Sequence, residues 1–207
     1  RVVFASSVAV FGGDFTETAT GDRTKQTPTS TYGTTKAIGE LLIDDASRKG
    51  FVDGRTARLP TVIIRPGAPN LAASSFCSGI FREPLQGLRC VVPVAVDTPL
   101  VVISPDTAVA GLRHLATLDG ERLGSMRAVA LPGLTVTIAD MLSALEVVGG
   151  PEAAALIDLT PDPAIAAIVE GWPGHWDDAR GRALGLPADE RLGDIVAAFA
   201  RRSAPTG

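Results

Sequence analysis

The chain has 207 residues, of which 45% are hydrophobic and 20% charged, so it is long enough for one or two small domains with a real core. Its formal net charge is −4 and it contains no run of Lys or Arg, which excludes the usual signature of proteins that bind nucleic acid or anionic membranes. No apolar stretch approaches the roughly 18–20 residues that a membrane helix needs.

The first third of the chain predicts a strand, a helix and a second strand. Residues 2–5 form a short apolar run typical of a buried parallel strand, and a polar loop follows. A helix is predicted over residues 31–48, because its apolar residues share one stripe and Gly50 follows its end. Residues 56–64 predict a second buried strand, interrupted at Pro60 because proline cannot donate a hydrogen bond to a central ladder.

The remainder alternates short strands and helices. Ser104, Pro105 and Asp106 form a strong helix start, and the glycines before Pro151 form a stop signal. We predict helices over residues 75–87, 105–118, 137–149 and 192–202, and strands over residues 91–96, 100–103 and 127–131. The early order of strand, helix and strand indicates a βαβ unit in a parallel sheet, and hence an α/β fold.

The single tyrosine of the chain, Tyr32, is followed four residues later by Lys36, one of only three lysines. Residues four apart lie on one face of a helix, so the ammonium can approach the phenol. A nearby positive charge favours the phenolate, which can take a proton from a substrate hydroxyl. The alternative from the pair alone is that Tyr32 caps the helix and Lys36 faces solvent.

A strand end carrying Ser6 and Ser7 precedes this pair by 25 residues. Side chains at the carboxyl end of a parallel strand face the cleft where ligands bind. A hydroxyl there can hold a substrate oxygen and stabilise developing charge. The alternative is that both serines are ordinary turn residues.

Two segments together carry a family resemblance. They are Phe4-Ala5-Ser6-Ser7-Val8-Ala9-Val10-Phe11-Gly12 and Tyr32-Gly33-Thr34-Thr35-Lys36-Ala37-Ile38-Gly39-Glu40. In motif order and spacing they resemble the extended short-chain dehydrogenase/reductase superfamily, also called the NAD-dependent epimerase/dehydratase family. The resemblance implies that Ser7 is the catalytic hydroxyl, Tyr32 the general base, and Lys36 its partner and a ligand of the nicotinamide ribose. Phe11 stands where many members have tyrosine.

Further segments narrow the resemblance to a branch of the family that oxidises small sugar acids. They lie at residues 58–70, 72–76, 82–85, 170–173 and 184–186. This likeness implies that the C2 hydroxyl of a four-carbon sugar acid is oxidised to a 2-oxo acid. It places Pro60 near the nicotinamide, and Thr61, Ser74 and Ser75 near the substrate; the alternative for these four is that they are loop residues without a ligand.

One position departs from that branch and bears on how the acid is held. Asp106 stands where the branch has an arginine, so the cationic anchor for an acid substrate is expected to be either lost or moved elsewhere. Arg65 and Arg82 are the two candidates, and the alternative for each is a structural ion pair.

The resemblance also implies the architecture and cofactor. We expect residues 1–70 to be the C-terminal half of an NAD-binding Rossmann domain with a doubly wound parallel sheet. Residues 71–207 are expected to form mainly a smaller, mixed α/β substrate-binding lobe, with some elements returning to the sheet. NAD is the expected cofactor, with NADP left open. No G-x-x-G-x-x-G turn occurs in the sequence, so we expect the pyrophosphate and adenosine sites to lie upstream of Arg1.

Other side chains indicate no further chemistry. His114, His175, Cys77 and Cys90 have no spacing typical of a metal site, and Trp172 and Trp176 are expected to be packing residues. The cysteines predict a reduced pair and a cytoplasmic protein, although a fold that brought them together would allow a bridge. The resemblance implies a homodimer. Two functional alternatives stay open: a sugar-nucleotide epimerase or dehydratase, and a catalytically incomplete fragment.

Overall fold

The structure is a computed structural model that describes residues 1–13, 19–68 and 72–203. Its strands are β1 (Val2–Ser7), β2 (Gly54–Leu59), β3 (Thr61–Val62), β4 (Cys90–Val92), β5 (Pro99–Ile103), β6 (Ala128–Ala130), β7 (Leu134–Thr137) and β8 (Ile157–Leu159). Its helices are α1 (Thr31–Arg48), α2 (Ser75–Arg82), α3 (Pro105–Thr117), α4 (Ile138–Ala154), α5 (Pro163–Glu170), α6 (Ala179–Ala183) and α7 (Leu192–Ser203). Three single 3-10 turns span Val8–Val10, Pro84–Gln86 and Gly120–Leu123.

The strands form an α/β arrangement of three small sheets. β1, β2 and β6 make a parallel sheet in that order, and α1 connects its first two strands as a βαβ unit. β3 pairs parallel with β5, which pairs antiparallel with β7. β4 and β8 form a separate parallel pair. The predicted α/β class with a Rossmann-type parallel sheet is confirmed, and β6 returns to that sheet from late in the chain.

Pro60 divides what the sequence predicted as one interrupted strand over residues 56–64. The first part begins earlier, at Gly54, and belongs to the sheet of β1, whereas the second part pairs with β5 in another sheet. Proline has no N–H for a ladder, so the chain changes sheets at this residue. The predicted single strand is therefore two strands, and Pro60 lies at the junction between their sheets.

Several predicted boundaries needed correction. The helix over residues 75–87 ends at Arg82 and continues as a 3-10 turn before Gly87, which has φ 75°. The strand over residues 91–96 is only β4, since Pro93 follows it. The helix predicted to stop near residue 149 does leave helical geometry at Gly150, and one further turn runs to Ala154. β7 and β8 were not predicted.

Two hydrophobic clusters support this arrangement. One lies between the β3–β5–β7 sheet and helices α2, α4 and α7, where Phe81, Met141 and Phe199 pack together. Another lies beneath the β1–β2–β6 sheet against α3, and includes Leu115 and Val129. Among the described residues, no helix is long and apolar enough to cross a bilayer.

The C-terminal part of the chain folds back onto its beginning. Asp22 is ion-paired with Arg180 at 2.7 Å, and its other carboxylate oxygen accepts a hydrogen bond from the Ala130 backbone. Thr20 forms an isolated β-bridge with Trp176. The Trp176 indole donates to the Leu131 carbonyl oxygen at 2.9 Å and packs edge-on against Phe11, as expected for a packing residue.

Two glycines allow α1 to lie directly against β1 and the turn that follows it. A Cβ atom on Gly33 would come within 2.0 Å of the Ala9 carbonyl oxygen, and one on Gly39 within 2.4 Å of the Phe4 ring. A side chain at position 33 would clash with backbone unless the helix moved away from the strand, whereas one at position 39 would have to displace the Phe4 ring. The close contact fixes the helix that bears Tyr32 relative to the strand that bears Ser7.

We predict that Gly33→Ala lowers the free energy of unfolding by ~1–3 kcal/mol, because the added methyl group overpacks a rigid backbone contact. Gly193→Ala in α7 is the matched control, since its Cβ would meet no atom within 4 Å. The control should be neutral or stabilising by up to ~1 kcal/mol, because alanine favours the helix. Urea denaturation measures both, and equal stability of the two variants would contradict the packing argument.

Cys77 and Cys90 are both free and buried. Burial raises the pKa of each thiol to about 12. Only roughly one thiol in 10,000 would then be ionised near pH 8, and the thiolate is the reactive form. We therefore predict that Ellman's reagent does not react with the folded protein and titrates both cysteines after denaturation; rapid reaction in the native state would refute this.

Candidate active site

A cavity of about 550 Å³ opens at the carboxyl ends of β1 and β2. Its walls come from the end of β1, the start of α1, the crossing at Pro60, the approach to α2 and the end of α5. Five of the residues predicted from the sequence line it: Ser7, Tyr32, Pro60, Thr61 and Ser74. Ser75 is the first residue of α2 and is not part of the lining.

Tyr32 stands in the first turn of α1. Ser30 caps this helix, with its hydroxyl oxygen accepting a hydrogen bond from the Gly33 backbone at 3.0 Å. The cap fixes where the helix begins and therefore where the phenol projects. Tyr32 is 56% exposed and lines the cavity, so its ring is accessible to a ligand.

Lys36 lies one turn further along the same face of α1. Its ammonium donates a hydrogen bond to the Ala5 carbonyl oxygen at 2.8 Å and lies 5.5 Å from the centroid of the Tyr32 ring. It is also 5.1 Å from the centroid of the Phe4 ring. Lys36 is not among the residues that line the cavity, so its charge reaches the site through its proximity to Tyr32.

The two serines at the end of β1 have different partners. The Ser7 hydroxyl oxygen accepts a hydrogen bond from the Ala9 backbone at 3.1 Å, and its hydrogen has no acceptor among the described residues. That hydrogen is available to a ligand oxygen in the cavity. The Ser6 hydroxyl instead donates to the Glu40 carboxylate at 2.5 Å in a buried position. Ser7 therefore suits a binding role and Ser6 a structural one.

Glu40 is a buried carboxylate that the sequence analysis did not select. Beyond Ser6, it accepts hydrogen bonds from the Gln26 amide at 2.6 Å and from the Arg58 guanidinium at 2.8 Å. Arg58 is itself buried on β2, so this ion pair joins α1 to the sheet. The available signal was spacing, because Glu40 continues the four-residue stripe of Tyr32 and Lys36.

The next turn of α1 adds Asp44 to the same region. Its pKa is raised above the ordinary value, mainly by burial and secondly by repulsion from Glu40. The charges of Arg58 and Arg127 act in the opposite direction. Asp44 does not line the cavity, so this shift belongs to the packing of α1 rather than to the candidate chemistry.

The two candidate cationic anchors are placed differently. Arg65 lines the cavity, with its guanidinium 3.5 Å from the Ser74 hydroxyl and no carboxylate within ion-pair distance among the described residues. Arg82 is buried, pairs with Glu83 at 2.6 Å and donates to the Arg65 carbonyl oxygen. Arg82 is thus the structural ion pair, and Arg65 is the cation available to a ligand.

The structure also places residues that the sequence analysis discussed outside the serine and tyrosine motifs. Asp106 is exposed, pairs with Arg202 at 2.6 Å and does not line the cavity. Trp172, expected only to pack, lines the cavity together with Ile168 from α5. His114 contacts the Leu184 carbonyl oxygen at 3.0 Å. Within the described part of the chain, no three His, Cys, Asp or Glu side chains are grouped to hold a metal ion.

Comparison with known proteins shows what the chain is similar to. Residues 1–94 match the model of the NAD dependent epimerase/dehydratase family. The resemblance predicted from the serine and tyrosine motifs is thereby confirmed.

Among its relatives are two proteins named D-erythronate dehydrogenase. The one from Cupriavidus necator is 49% identical over 199 residues, which are 96% of this chain and 61% of that protein. The one from Haemophilus influenzae is 47% identical, again over 96% of this chain, and 63% of that protein is covered. The chain therefore spans about three fifths of the length of these relatives.

Solved structures with the same fold carry other names. One is a nucleoside-diphosphate-sugar epimerase from Agrobacterium tumefaciens, with a TM-score of 0.92 and 43% identity over 98% of this chain and 59% of that one. Another is the holo form of a GalE-like L-threonine dehydrogenase from Cupriavidus necator, with a TM-score of 0.85 and 25% identity. In that pair 98% of this chain and 65% of the other are covered.

Proposed function

We propose that the full-length protein is an NAD-dependent dehydrogenase that oxidises the C2 hydroxyl of a D-erythronate-like sugar acid to a 2-oxo acid. The observation that carries this proposal is the meeting of Ser7, Tyr32 and Arg65 in one cavity. These side chains supply a hydroxyl donor, a phenol and a cation, which are the groups that an acid with an adjacent secondary alcohol requires. The names of the two D-erythronate dehydrogenase relatives support the same substrate class.

The proposed chemistry assigns one task to each side chain. Tyr32, as phenolate, takes the proton of the substrate hydroxyl, and Ser7 donates a hydrogen bond to the same oxygen. The ammonium of Lys36, 5.5 Å from the ring centroid, stabilises the phenolate charge. Arg65 holds the substrate carboxylate by a charge-assisted hydrogen bond. NAD, when bound, would supply the acceptor for the hydride of the substrate C2 carbon.

The cavity suits the nicotinamide end of that cofactor. Val8, Leu59 and Pro60 provide an apolar wall against which a flat ring can pack, and Tyr32 opens into the same space. We propose that Tyr32, Lys36 and Pro60 hold the nicotinamide riboside and that NAD is used rather than NADP. Because this chain contains no glycine-rich turn, the pyrophosphate contact is assigned to none of its residues.

A second candidate function is nucleotide-sugar epimerisation or dehydration, favoured by the name of the relative with 43% identity. An assay of NADH absorbance distinguishes this function from the dehydrogenase. The full-length protein is mixed with NAD and with either sugar acids or nucleotide sugars. Net NADH formation with sugar acids alone supports the dehydrogenase. Conversion of nucleotide sugars without net NADH supports the alternative. Repeating the assay with NADP, using the substrate that reacts, decides between the two cofactors. If no substrate reacts, the result supports a catalytically incomplete protein.

We predict that Arg65→Met lowers kcat/KM for the sugar acid by about 10- to 100-fold, mainly through KM, since a hydrogen bond to a charged group contributes ~1.5–3 kcal/mol. Arg65→Lys should recover part of the loss because it retains the charge. Arg202→Met is the matched control, as Arg202 pairs with Asp106 on the surface. An unchanged KM in Arg65→Met would remove Arg65 from the proposed site.

We further propose a homodimer that uses the outer face of α1. Ile38, Leu41 and Leu42 are 51%, 63% and 64% exposed there, which is unusual for three apolar side chains on one helix. Leu42→Glu should then produce a monomer, as measured by light scattering.

We also propose that the chain divides into residues 1–70 and 71–207, with β6 returning to the sheet of the first part. We further propose a cytoplasmic location, which the two free cysteines support.

A further inference from the structure

Trp172 lies between the candidate active-site cavity and a second, smaller cavity. The smaller one has a volume of about 240 Å³ and is lined by residues of the loop before β5 and of the end of α5. Trp172 is the one described residue that lines both cavities. The space in which we place the substrate and the smaller cavity therefore have Trp172 in common.

The segment that carries Trp172 is held on both sides. The Trp172 backbone donates to the Val169 carbonyl oxygen at 2.9 Å at the end of α5. A Cβ on Gly174 would come within 2.6 Å of the Pro99 ring, so this backbone packs directly against β5. Two residues further on, the Trp176 indole is bonded to Leu131. These contacts hold the backbone on both sides of Trp172 in place.

The smaller cavity differs in charge from the candidate site. Its lining includes Asp97, Thr98 and Glu170, so it presents carboxylate and hydroxyl oxygens. Carboxylates accept hydrogen bonds from sugar hydroxyls and repel a substrate carboxylate. The candidate site instead contains the cation Arg65. A sugar acid would thus place its carboxylate at Arg65 and, if long enough, its hydroxyl-bearing tail toward Asp97 and Glu170.

We propose that Trp172 is a specificity-determining residue that limits the length of the sugar acid, by closing the candidate site against the smaller cavity. The proposal rests on the proposed function and adds to it the feature that selects short acids. On this proposal, removing the indole would join the two volumes, which are about 550 Å³ and 240 Å³ in the wild type. The joined space admits additional hydroxymethylene groups that the wild-type wall excludes.

The test compares Trp172→Ala, Trp172→Phe and the wild type as full-length proteins. The probes are aldonic acids of four, five and six carbons with the same configuration at C2 and C3. One added carbon group in a pocket changes kcat/KM by about 10- to 200-fold. Trp172→Ala should therefore raise the ratio of kcat/KM for the six-carbon acid to that for the four-carbon acid by at least about 10-fold. Trp172→Phe, which keeps an aromatic wall, should retain the wild-type order of preference.

The ratio separates a selective role from a structural one. If Trp172 only supports the fold, all acids lose kcat/KM by the same factor, the ratio stays at its wild-type value, and the proposal is overturned. Calorimetric Kd values for the same acids provide a readout without turnover. A wild type that binds short acids but does not oxidise them would refute the proposed function, while the shift of the Kd ratio in Trp172→Ala would still decide this inference. Absence of binding by every acid overturns both.

Discussion

Tyr32→Phe is expected to lower the turnover of the full-length protein by ~10²–10⁴-fold, the range typical of a positioned general base. The variant removes only the phenol oxygen and keeps the ring beside Lys36. Because Tyr32 is 56% exposed, the free energy of unfolding should change by less than ~0.5 kcal/mol. NADH formation at saturating substrate and a thermal melt by circular dichroism measure the two quantities.

Thr35→Val is the matched control for losing one hydroxyl from the same helix. The Thr35 hydroxyl donates only to the Tyr32 carbonyl oxygen and is exposed, so turnover should stay close to the wild-type rate. Comparable turnover in Tyr32→Phe and wild type would exclude Tyr32 as the base. A parallel loss of stability and turnover would instead indicate a structural role for the phenol.

Glu40→Ala is expected to reduce the free energy of unfolding by ~3–5 kcal/mol, because removing one partner of a buried ion pair leaves the other charge uncompensated. The stranded cation is Arg58, whose guanidinium is 2.8 Å from the carboxylate in the native protein. The Ser6 hydroxyl and Gln26 amide also lose their acceptor. Urea denaturation of the full-length protein measures the change.

The control for Glu40 is Asp45→Ala, on the exposed side of the same helix. Asp45 pairs with Lys49 and Arg48 in solvent, where ion pairs contribute little. Its variant should unfold close to the wild-type midpoint. Equal midpoints for the two variants would mean that the Glu40 network contributes no more than a surface pair. Glu40→Gln, which keeps the shape but not the charge, separates packing from electrostatics.

The elements predicted well are those with local signals. The bounds of α1 follow from its apolar periodicity and from Gly50, and α3 begins where Ser104 and Pro105 predict, with Ser104 capping it. Tyr32 and Lys36 were found for the same reason, since four residues on a helix bring their side chains together without tertiary information. The roles assigned to both residues are predictions, and Tyr32→Phe tests the role of Tyr32.

What the sequence did not reveal depends on distant partners. β8 has three residues and exists because it pairs with β4, far away in the chain. The spacing of Glu40 places it on the helix face of Tyr32 and Lys36, but its ion pair with Arg58 of β2 could not be predicted from that spacing. Trp172 lines the cavity together with Ser7 and Tyr32, which lie far away in the chain. Local patterns carry no information on such contacts.

The ion pair of Asp22 with Arg180 has a consequence for the order of folding. The two residues are 158 positions apart, and Asp22 follows the strand that carries Ser7. Contacts of such sequence separation close late, because a long loop must be ordered before they form. During synthesis β1 and α1 leave the ribosome well before the segment that carries Arg180. Ligand binding should therefore appear only in the final phase of refolding, after most helical structure has formed.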